Sequence, residues 1–129
     1  MPPEQRNVLV IDDDPSQAVL ITKVLKSEPY AFTVCNDAES ALVLLNGARG
    51  FDLIFCDFML PGISGLQTVE YIRSSKSGKS TPIIMMSAHG GGYEVGDRAR
   101  TAGANAFMAK PFTASELRRT VDSVMGSPA

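Results

Sequence analysis

The sequence has no tryptophan, a single histidine and only two cysteines. Cys35 and Cys56 lie in separate apolar stretches, without the short spacing of metal-binding cysteine pairs. This pattern argues against a cysteine-ligated metal site and predicts two small buried thiols. His89 lies in a predicted loop, so we expect an exposed residue rather than a catalytic one.

The sequence also lacks a basic excess and a long apolar run. Its 12 Lys and Arg residues are outnumbered by 14 Asp and Glu residues, and the formal net charge is −2. This balance gives no support to direct nucleic-acid binding. The longest apolar runs, such as ALVLL and PIIMM, are far shorter than the ~20 residues of a membrane helix. No signal-type segment follows the opening MPPEQRN. We therefore expect a cytoplasmic protein without membrane insertion.

What the sequence does contain is a regular alternation of short apolar runs and longer amphipathic stretches. The apolar runs predict strands at 7–11, 30–35, 51–56, 81–87 and 105–110. The amphipathic stretches predict helices at 14–27, 37–47, 64–75, 93–102 and 113–125. In the first helix the core-facing positions are predicted to be Val19, Leu20, Val24 and Leu25. The glycines at 90–92 predict a soft loop before the fourth helix.

Five strands alternating with five helices predict an α/β fold. A parallel sheet covered on both faces is the arrangement that such an alternation favours. Hydrophobic residues make up 44% of the 129 residues, enough for one buried core. We expect a single domain over 1–129, with its core at about 7–125 and short flexible ends.

Polar side chains follow four of the predicted strands. The stretch VLVIDDDPS carries three aspartates, 12–14, directly after the first strand. Asp57 stands at the end of the third strand, Ser87 at the end of the fourth, and Lys110 at the end of the fifth. Because ligands of open parallel sheets bind outside the carboxyl ends of the strands, these side chains are expected to converge on one rim.

The chemistry of these residue types points to metal-assisted phosphate handling. Carboxylates gathered in one shallow pocket repel each other, and one lysine cannot neutralise them. Mg²⁺ fits best, since it takes oxygen ligands and needs only one or two carboxylates plus a phosphate. A carboxylate can attack phosphorus to form an acyl phosphate. Lys110 and Ser87 are suited to stabilise charge on the phosphoryl oxygens.

Taken together, these residues resemble the receiver domain (CheY-like) of two-component response regulators. The resemblance covers about residues 7–125. It is carried by VIDDDP for the acid pair, FCDFMLPGISG for the phosphoacceptor, MMSAHG for the switch hydroxyl and MAKPF for the lysine. The resemblance implies a three-layer α/β/α flavodoxin-like fold with strand order 2-1-3-4-5. It implies a phosphoacceptor signalling domain rather than a conventional enzyme.

The resemblance also implies roles for individual residues. Asp57 would accept the phosphoryl group from a sensor histidine kinase or a histidine phosphotransfer protein. Mg²⁺ would be bound by Asp13, Asp57 and the backbone carbonyl of Met59, with Asp12 helping through water. Ser87 and Lys110 would contact the phosphoryl oxygens.

The switch and the output face follow from the same resemblance. Movement of Ser87 toward the phosphoryl group would let Phe107 turn inward. The face formed by the fourth helix, fifth strand and fifth helix would then recognise a downstream protein. The peptide bond before Pro111 would be cis.

Two other functions remain open at this stage. DDDPS also resembles the first motif of haloacid dehalogenase-type phosphatases, with Asp12 as nucleophile and Asp14 as acid/base. Those enzymes need a further acidic pair after the lysine, and here Glu116 and Asp122 both lie on a predicted helix. The other alternative is an interaction module with a receiver fold that takes no phosphate.

Overall fold

The computed structural model describes residues 6–26, 29–46, 50–75, 78–88 and 93–125, which form five strands and five helices. In chain order they are β1 (Arg6–Ile11), α1 (Pro15–Val24), β2 (Tyr30–Cys35), α2 (Ala38–Leu45), β3 (Leu53–Asp57), α3 (Gly65–Ser74), β4 (Ile83–Ser87), α4 (Tyr93–Ala102), β5 (Ala106–Ala109) and α5 (Ala114–Met125). His89, the glycines at 90–92 and the two predicted flexible ends lie outside the described residues.

The sheet is parallel throughout and has the order β2-β1-β3-β4-β5. The predicted α/β fold and strand order are therefore confirmed. The register places Ile11 beside Cys56, and Ser87 beside Ala109, so the carboxyl ends of four strands lie level. Because β1 separates β2 from β3, Cys35 and Cys56 are not adjacent, and both are free buried thiols.

Two hydrophobic layers cover the sheet, one on each face. One layer packs buried residues of α1 and α5, including Ile21 and Leu117, against the sheet. The other packs residues of α2, α3 and α4, including Ala41, Ile72 and Ala99. Strands β3 and β4 are buried along their whole length, which explains their near-continuous apolar sequences.

The first helix packs on the core through three of its four predicted positions, and Val19 is the exception. Ala18, Ile21 and Leu25 are buried, whereas Val19 is 59% exposed. Leu20 and Val24 are only partly buried, against the same layer. The helix ends at Val24, with Leu25 as its C-cap, earlier than the predicted end at residue 27. The prediction for Val19 was wrong because the buried face runs through Ala18 and Ile21, whose helical spacing is as regular as that of the larger residues.

One arginine forms hydrogen bonds near the amino-terminal ends of β4 and β5, at the opposite edge of the sheet from the aspartates. Arg73, in the last turn of α3, donates from Nε to the Gly103 carbonyl at 2.8 Å. Its Nη1 donates to the carbonyls of Gly78 and Thr81 at 2.8 and 2.6 Å. Its Nη2 donates to Oδ1 of Asn105 at 2.7 Å. These bonds tie the end of α3 to the starts of β4 and β5 and to the turn that closes α4.

Candidate phosphoacceptor and metal site

Three carboxylates meet at the carboxyl ends of β1 and β3. Asp12 directly follows β1 and has no exposed surface, and Asp57 ends β3 and is 5% exposed. Asp13 is exposed at the rim. One oxygen from each of the three lies within 4.8 Å of the others. The parallel register produces this cluster, because Ile11 and Cys56 are partners and the next residue of each strand is an aspartate.

Asp14 has a separate structural role. It is the N-cap of α1, and its Oδ1 accepts hydrogen bonds from the backbone N–H of Ser16 at 3.0 Å and from the Ser16 hydroxyl at 2.7 Å. Pro15 occupies the first turn, where a missing N–H has no consequence. Capping therefore accounts for one aspartate of the three, and Asp12 and Asp13 remain for the cluster.

Lys110 bridges the two buried carboxylates. Its Nζ lies 2.8 Å from Asp12 Oδ2 and 3.3 Å from Asp57 Oδ2. Burial acts to lower the pKa of Lys110, but the hydrogen bond to Asp12 and the charges of Asp57 and Asp12 outweigh it, so the pKa is raised. Lys110 is therefore charged at neutral pH, and it is held by a backbone bond from its N–H to the Ser87 carbonyl at 2.7 Å.

Asp57 is the carboxylate with the most perturbed environment. Burial and then the charge of Asp12 raise its pKa to about 6, while Lys110 and the Met59 amide act in the opposite direction. The Met59 N–H donates to Asp57 Oδ1 at 3.4 Å. The carboxylate is thus ionised at neutral pH, at a free-energy cost that an additional cation would relieve.

The other predicted site residues lie around this cluster. Ser87 is buried at the end of β4, and Met59, two residues after Asp57, is 59% exposed. Phe107 is half-buried on β5 and packs against the layer formed by α2, α3 and α4. The Lys110–Pro111 peptide bond is cis, as the resemblance implied.

The sequence did not reveal the importance of Gly65, which lies within the predicted helix at 64–75. A Cβ at this position would lie 2.1 Å from the Asp57 carbonyl oxygen and 2.8 Å from Phe58 Cα. The N–H of Gly65 also donates to the Phe58 carbonyl at 3.2 Å. The start of α3 therefore packs directly onto the backbone that carries Asp57, at a distance that only glycine allows. A close approach between distant backbones leaves no local sequence signal.

The donor set is suited to a hard divalent cation. Three carboxylates and one ammonium group leave two negative charges at the rim, and all the clustered ligand atoms are oxygens. Mg²⁺ takes oxygen ligands and retains several waters, which the exposed position of Asp13 permits. The residues present therefore fit the predicted Mg²⁺.

Asp57→Asn should stabilise the metal-free protein at neutral pH. The folded state holds Asp57 with a pKa of about 6, above its ordinary value of 3.8, so ionisation disfavours folding. This penalty is absent below about pH 4 and complete above about pH 6. We expect the variant to gain about 1–2 kcal/mol at pH 7.5 in chelator, and the gain to vanish near pH 4.

Urea denaturation at the two pH values measures this difference. Asp97→Asn removes an exposed acid on α4 and serves as the control. A gain for Asp57→Asn that is the same at both pH values would show that the carboxylate is not strained by its surroundings.

Comparison with known proteins identifies the relatives of this arrangement. Residues 8–122 match the response regulator receiver domain family. The DNA-binding response regulator MtrA of Mycolicibacterium smegmatis is 34% identical over 113 residues, covering 88% of this chain and 47% of MtrA. The phosphate regulon regulatory protein PhoB of Escherichia coli is 32% identical over 122 residues, covering 93% of this chain and 52% of PhoB. The chain spans about half or less of the length of these curated relatives.

Solved structures share the whole fold. The chemotaxis response regulator CheY4 of Vibrio cholerae has a TM-score of 0.85 and 28% identity, covering 94% of this chain and 99% of its own. The receiver domain of a sensor histidine kinase from Pseudomonas aeruginosa has a TM-score of 0.83 and 28% identity, covering 96% of this chain and 100% of its own. That structure holds a magnesium ion coordinated in the active site cleft.

Proposed function

The chain belongs to the response regulator receiver domain family, and we propose that Asp57 is its phosphoacceptor. Receiver domains pair with histidine kinases, so the donor is a phosphohistidine on a sensor kinase or on a histidine phosphotransfer protein. The observation that carries the proposal is the position of the Asp57 carboxylate, at the rim, within 3.3 Å of the Lys110 ammonium and clustered with two further acids.

The reaction is a transfer from nitrogen to oxygen. A carboxylate oxygen of Asp57 attacks phosphorus, the new O–P bond forms, and the P–N bond breaks with its electron pair returning to the imidazole. Lys110, already 3.3 Å from Asp57 Oδ2, stabilises negative charge on the phosphoryl oxygens. Ser87, at the end of the neighbouring strand, supplies a hydroxyl to the same group.

We assign the metal site to the same rim. Asp13, Asp57 and the Met59 backbone carbonyl would hold Mg²⁺, and Asp12 would contribute through water. When bound, the ion supplies positive charge to both the acids and the transferring phosphoryl group. Asp12 suits an indirect role, because its Oδ1 accepts from the Asp14 N–H at 2.9 Å and its Oδ2 from Lys110 at 2.8 Å.

The output follows from the position of Ser87 and Phe107. In this proposal Ser87 moves toward the phosphoryl group, and Phe107 turns further into the space beside it. The face formed by α4, β5 and α5 then binds a downstream protein, with no direct contact to nucleic acid by this domain. A cytoplasmic location suits this role. In the described parts of the chain no helix is both long and apolar enough to cross a membrane.

The phosphatase alternative is disfavoured by the environment of Asp12. A nucleophile must reach its substrate, but Asp12 has no exposed surface and both of its oxygens accept hydrogen bonds. Glu116 and Asp122 are exposed on α5. The alternative of a module that takes no phosphate is disfavoured because every side chain that the reaction needs is present at the rim.

Incubation with Mg²⁺ and acetyl phosphate should add one phosphoryl group to the protein, measured as intact mass. The Asp57→Ala variant should gain none, because it lacks the attacking oxygen. Labelling that persists in Asp57→Ala would indicate that Asp12 is the nucleophile and would favour the phosphatase. If wild type binds Mg²⁺ but is not labelled, the result would favour the interaction module or a receiver that takes phosphate only from its protein donor.

Asp13→Asn should remove the rise in melting temperature that Mg²⁺ causes in the wild type. Ligand binding stabilises the folded state by an amount that grows with the logarithm of the affinity, and the variant loses an ionised oxygen ligand. Asp14→Asn is the matched control, since it removes a neighbouring charge while asparagine can still cap α1. Thermal unfolding with Mg²⁺ and with chelator tests this. If the Mg²⁺-induced rise in melting temperature falls equally in both variants, Mg²⁺ responds to the local negative charge and not to Asp13 as a ligand.

A further inference from the structure

A cation from α4 lies over the ring of the residue that follows Asp57. The guanidinium carbon of Arg98 is 5.6 Å from the centroid of the Phe58 ring, within the range of a cation–π interaction. Arg98 is exposed, and it is in the middle of α4. This contact joins the helix of the proposed output face to the residue directly after the proposed phosphoacceptor.

Phe58 is the fixed partner of this contact. Its N–H donates to the Met86 carbonyl at 2.7 Å, and its own carbonyl accepts from the Gly65 N–H at 3.2 Å. Its ring is half-buried and packs against the layer formed by α2, α3 and α4. The ring position is therefore determined by β3, β4 and α3, which are the elements that also hold Asp57.

Around Arg98, the described residues of α4 that pack on the core have small side chains. Ala99 is buried and Ala102 is partly buried against the layer that α2, α3 and α4 form. Gly96 lies in open space, so no close packing requires glycine there, and it weakens the helix. The turn that closes α4 is anchored by the bond from Arg73 to Gly103. The ring of Phe58 therefore provides a specific contact for Arg98, in the middle of α4.

We propose that Arg98 supplies positive charge, through space, to a phosphoryl group on Asp57, and that the Phe58 ring holds Arg98 in place. This inference rests on the proposed function, since it concerns the response to a phosphoryl group on Asp57. Phosphorylation adds negative charge at the residue next to the ring, and a nearby cation lowers the energy of that charge. Arg98 forms no ion pair with Asp57 among the contacts of the described residues, so its effect acts through space and is screened by salt.

Affinity for beryllofluoride, a phosphoryl mimic, tests the proposal in the presence of saturating Mg²⁺. At low salt we expect Arg98→Gln to weaken binding about threefold, and high salt to remove the difference. Phe58→Leu should weaken binding by a similar factor, because the cation loses its support. The double variant should bind about threefold more weakly and not ninefold, since both changes remove one interaction. Isothermal titration measures all of these affinities.

Matched variants separate this interaction from charge and packing in general. Arg100→Gln removes an exposed charge from the same helix. The factor by which it weakens binding should be less than half of the factor for Arg98→Gln. Phe58→Tyr and Arg98→Lys keep the ring and the charge, and should bind nearly as well as the wild type. Equal losses in Arg98→Gln and Arg100→Gln, or additive losses in the double variant, would overturn the proposal.

The outcomes also separate this proposal from the one on which it rests. If the wild type binds beryllofluoride and every variant binds it with the same affinity, the role of Arg98 is refuted and the proposed function is not. Wild type that neither binds the mimic nor accepts phosphate from acetyl phosphate refutes both proposals.

Discussion

Lys110→Met should lower the free energy of unfolding of the metal-free protein by about 3 kcal/mol at neutral pH. The Lys110 ammonium is the group that offsets Asp12 and Asp57, at 2.8 and 3.3 Å. Methionine has a similar length but no charge, so two buried carboxylates would face each other without a cation. Removing one partner of a buried ion pair is more harmful than removing the pair, because the remaining charge stays desolvated.

A second substitution tests that explanation. Asp57→Asn added to Lys110→Met should recover more than half of the lost stability, because one of the two opposed charges is removed. Mg²⁺ should stabilise Lys110→Met more than it stabilises the wild type, since the ion would take over the role of the missing cation. Chemical denaturation with chelator and with Mg²⁺ measures both effects. A Lys110→Met variant that the second substitution does not rescue would indicate lost packing instead of charge repulsion.

Gly65→Ala should also destabilise the protein by about 3 kcal/mol, and it should disturb Asp57 directly. The added Cβ would meet the Asp57 carbonyl oxygen at 2.1 Å and the Phe58 carbonyl oxygen at 2.9 Å, distances that no rotamer change can relieve. Either α3 moves away from β3 or the backbone of the phosphoacceptor moves. We therefore expect acetyl phosphate labelling to fall sharply even at temperatures where the variant is folded.

Gly96→Ala is the control for this prediction. Both glycines lie in the helical segments of the chain, but a Cβ at Gly96 meets nothing within 4 Å. Alanine there should stabilise the protein by up to about 1 kcal/mol through helix propensity. Denaturation midpoints and intact mass after labelling distinguish the two variants. If Gly65→Ala proves as stable and as readily phosphorylated as Gly96→Ala, the close approach of α3 to Asp57 has no importance.

Much of the fold could be predicted because each element has a local signal. Apolar runs such as VLVI and LIFC predict strands that are buried on both faces, and such strands are found there. Asp14 followed by Pro15 predicts the start of a helix. The strand ends differ from prediction by one or two residues, as in β3, which begins at Leu53 and not at residue 51. Helical periodicity was less decisive, since α1 buries Ala18 and Ile21 and exposes Val19.

The chain order and the rules of parallel sheets were sufficient to predict that Asp12, Asp13, Asp57, Ser87 and Lys110 lie at one rim. Polar residues directly after buried strands must meet at the same edge once the strands are parallel, and this needs no knowledge of side-chain contacts. The unequal burial of the acids depends on packing: Asp12 is enclosed and bonded to Lys110, while Asp13 faces solvent. The need for glycine at 65 and the contact between Phe58 and Arg98 depend on it too. Both contacts are set by how α3 and α4 dock on the sheet, and no local sequence pattern specifies that docking.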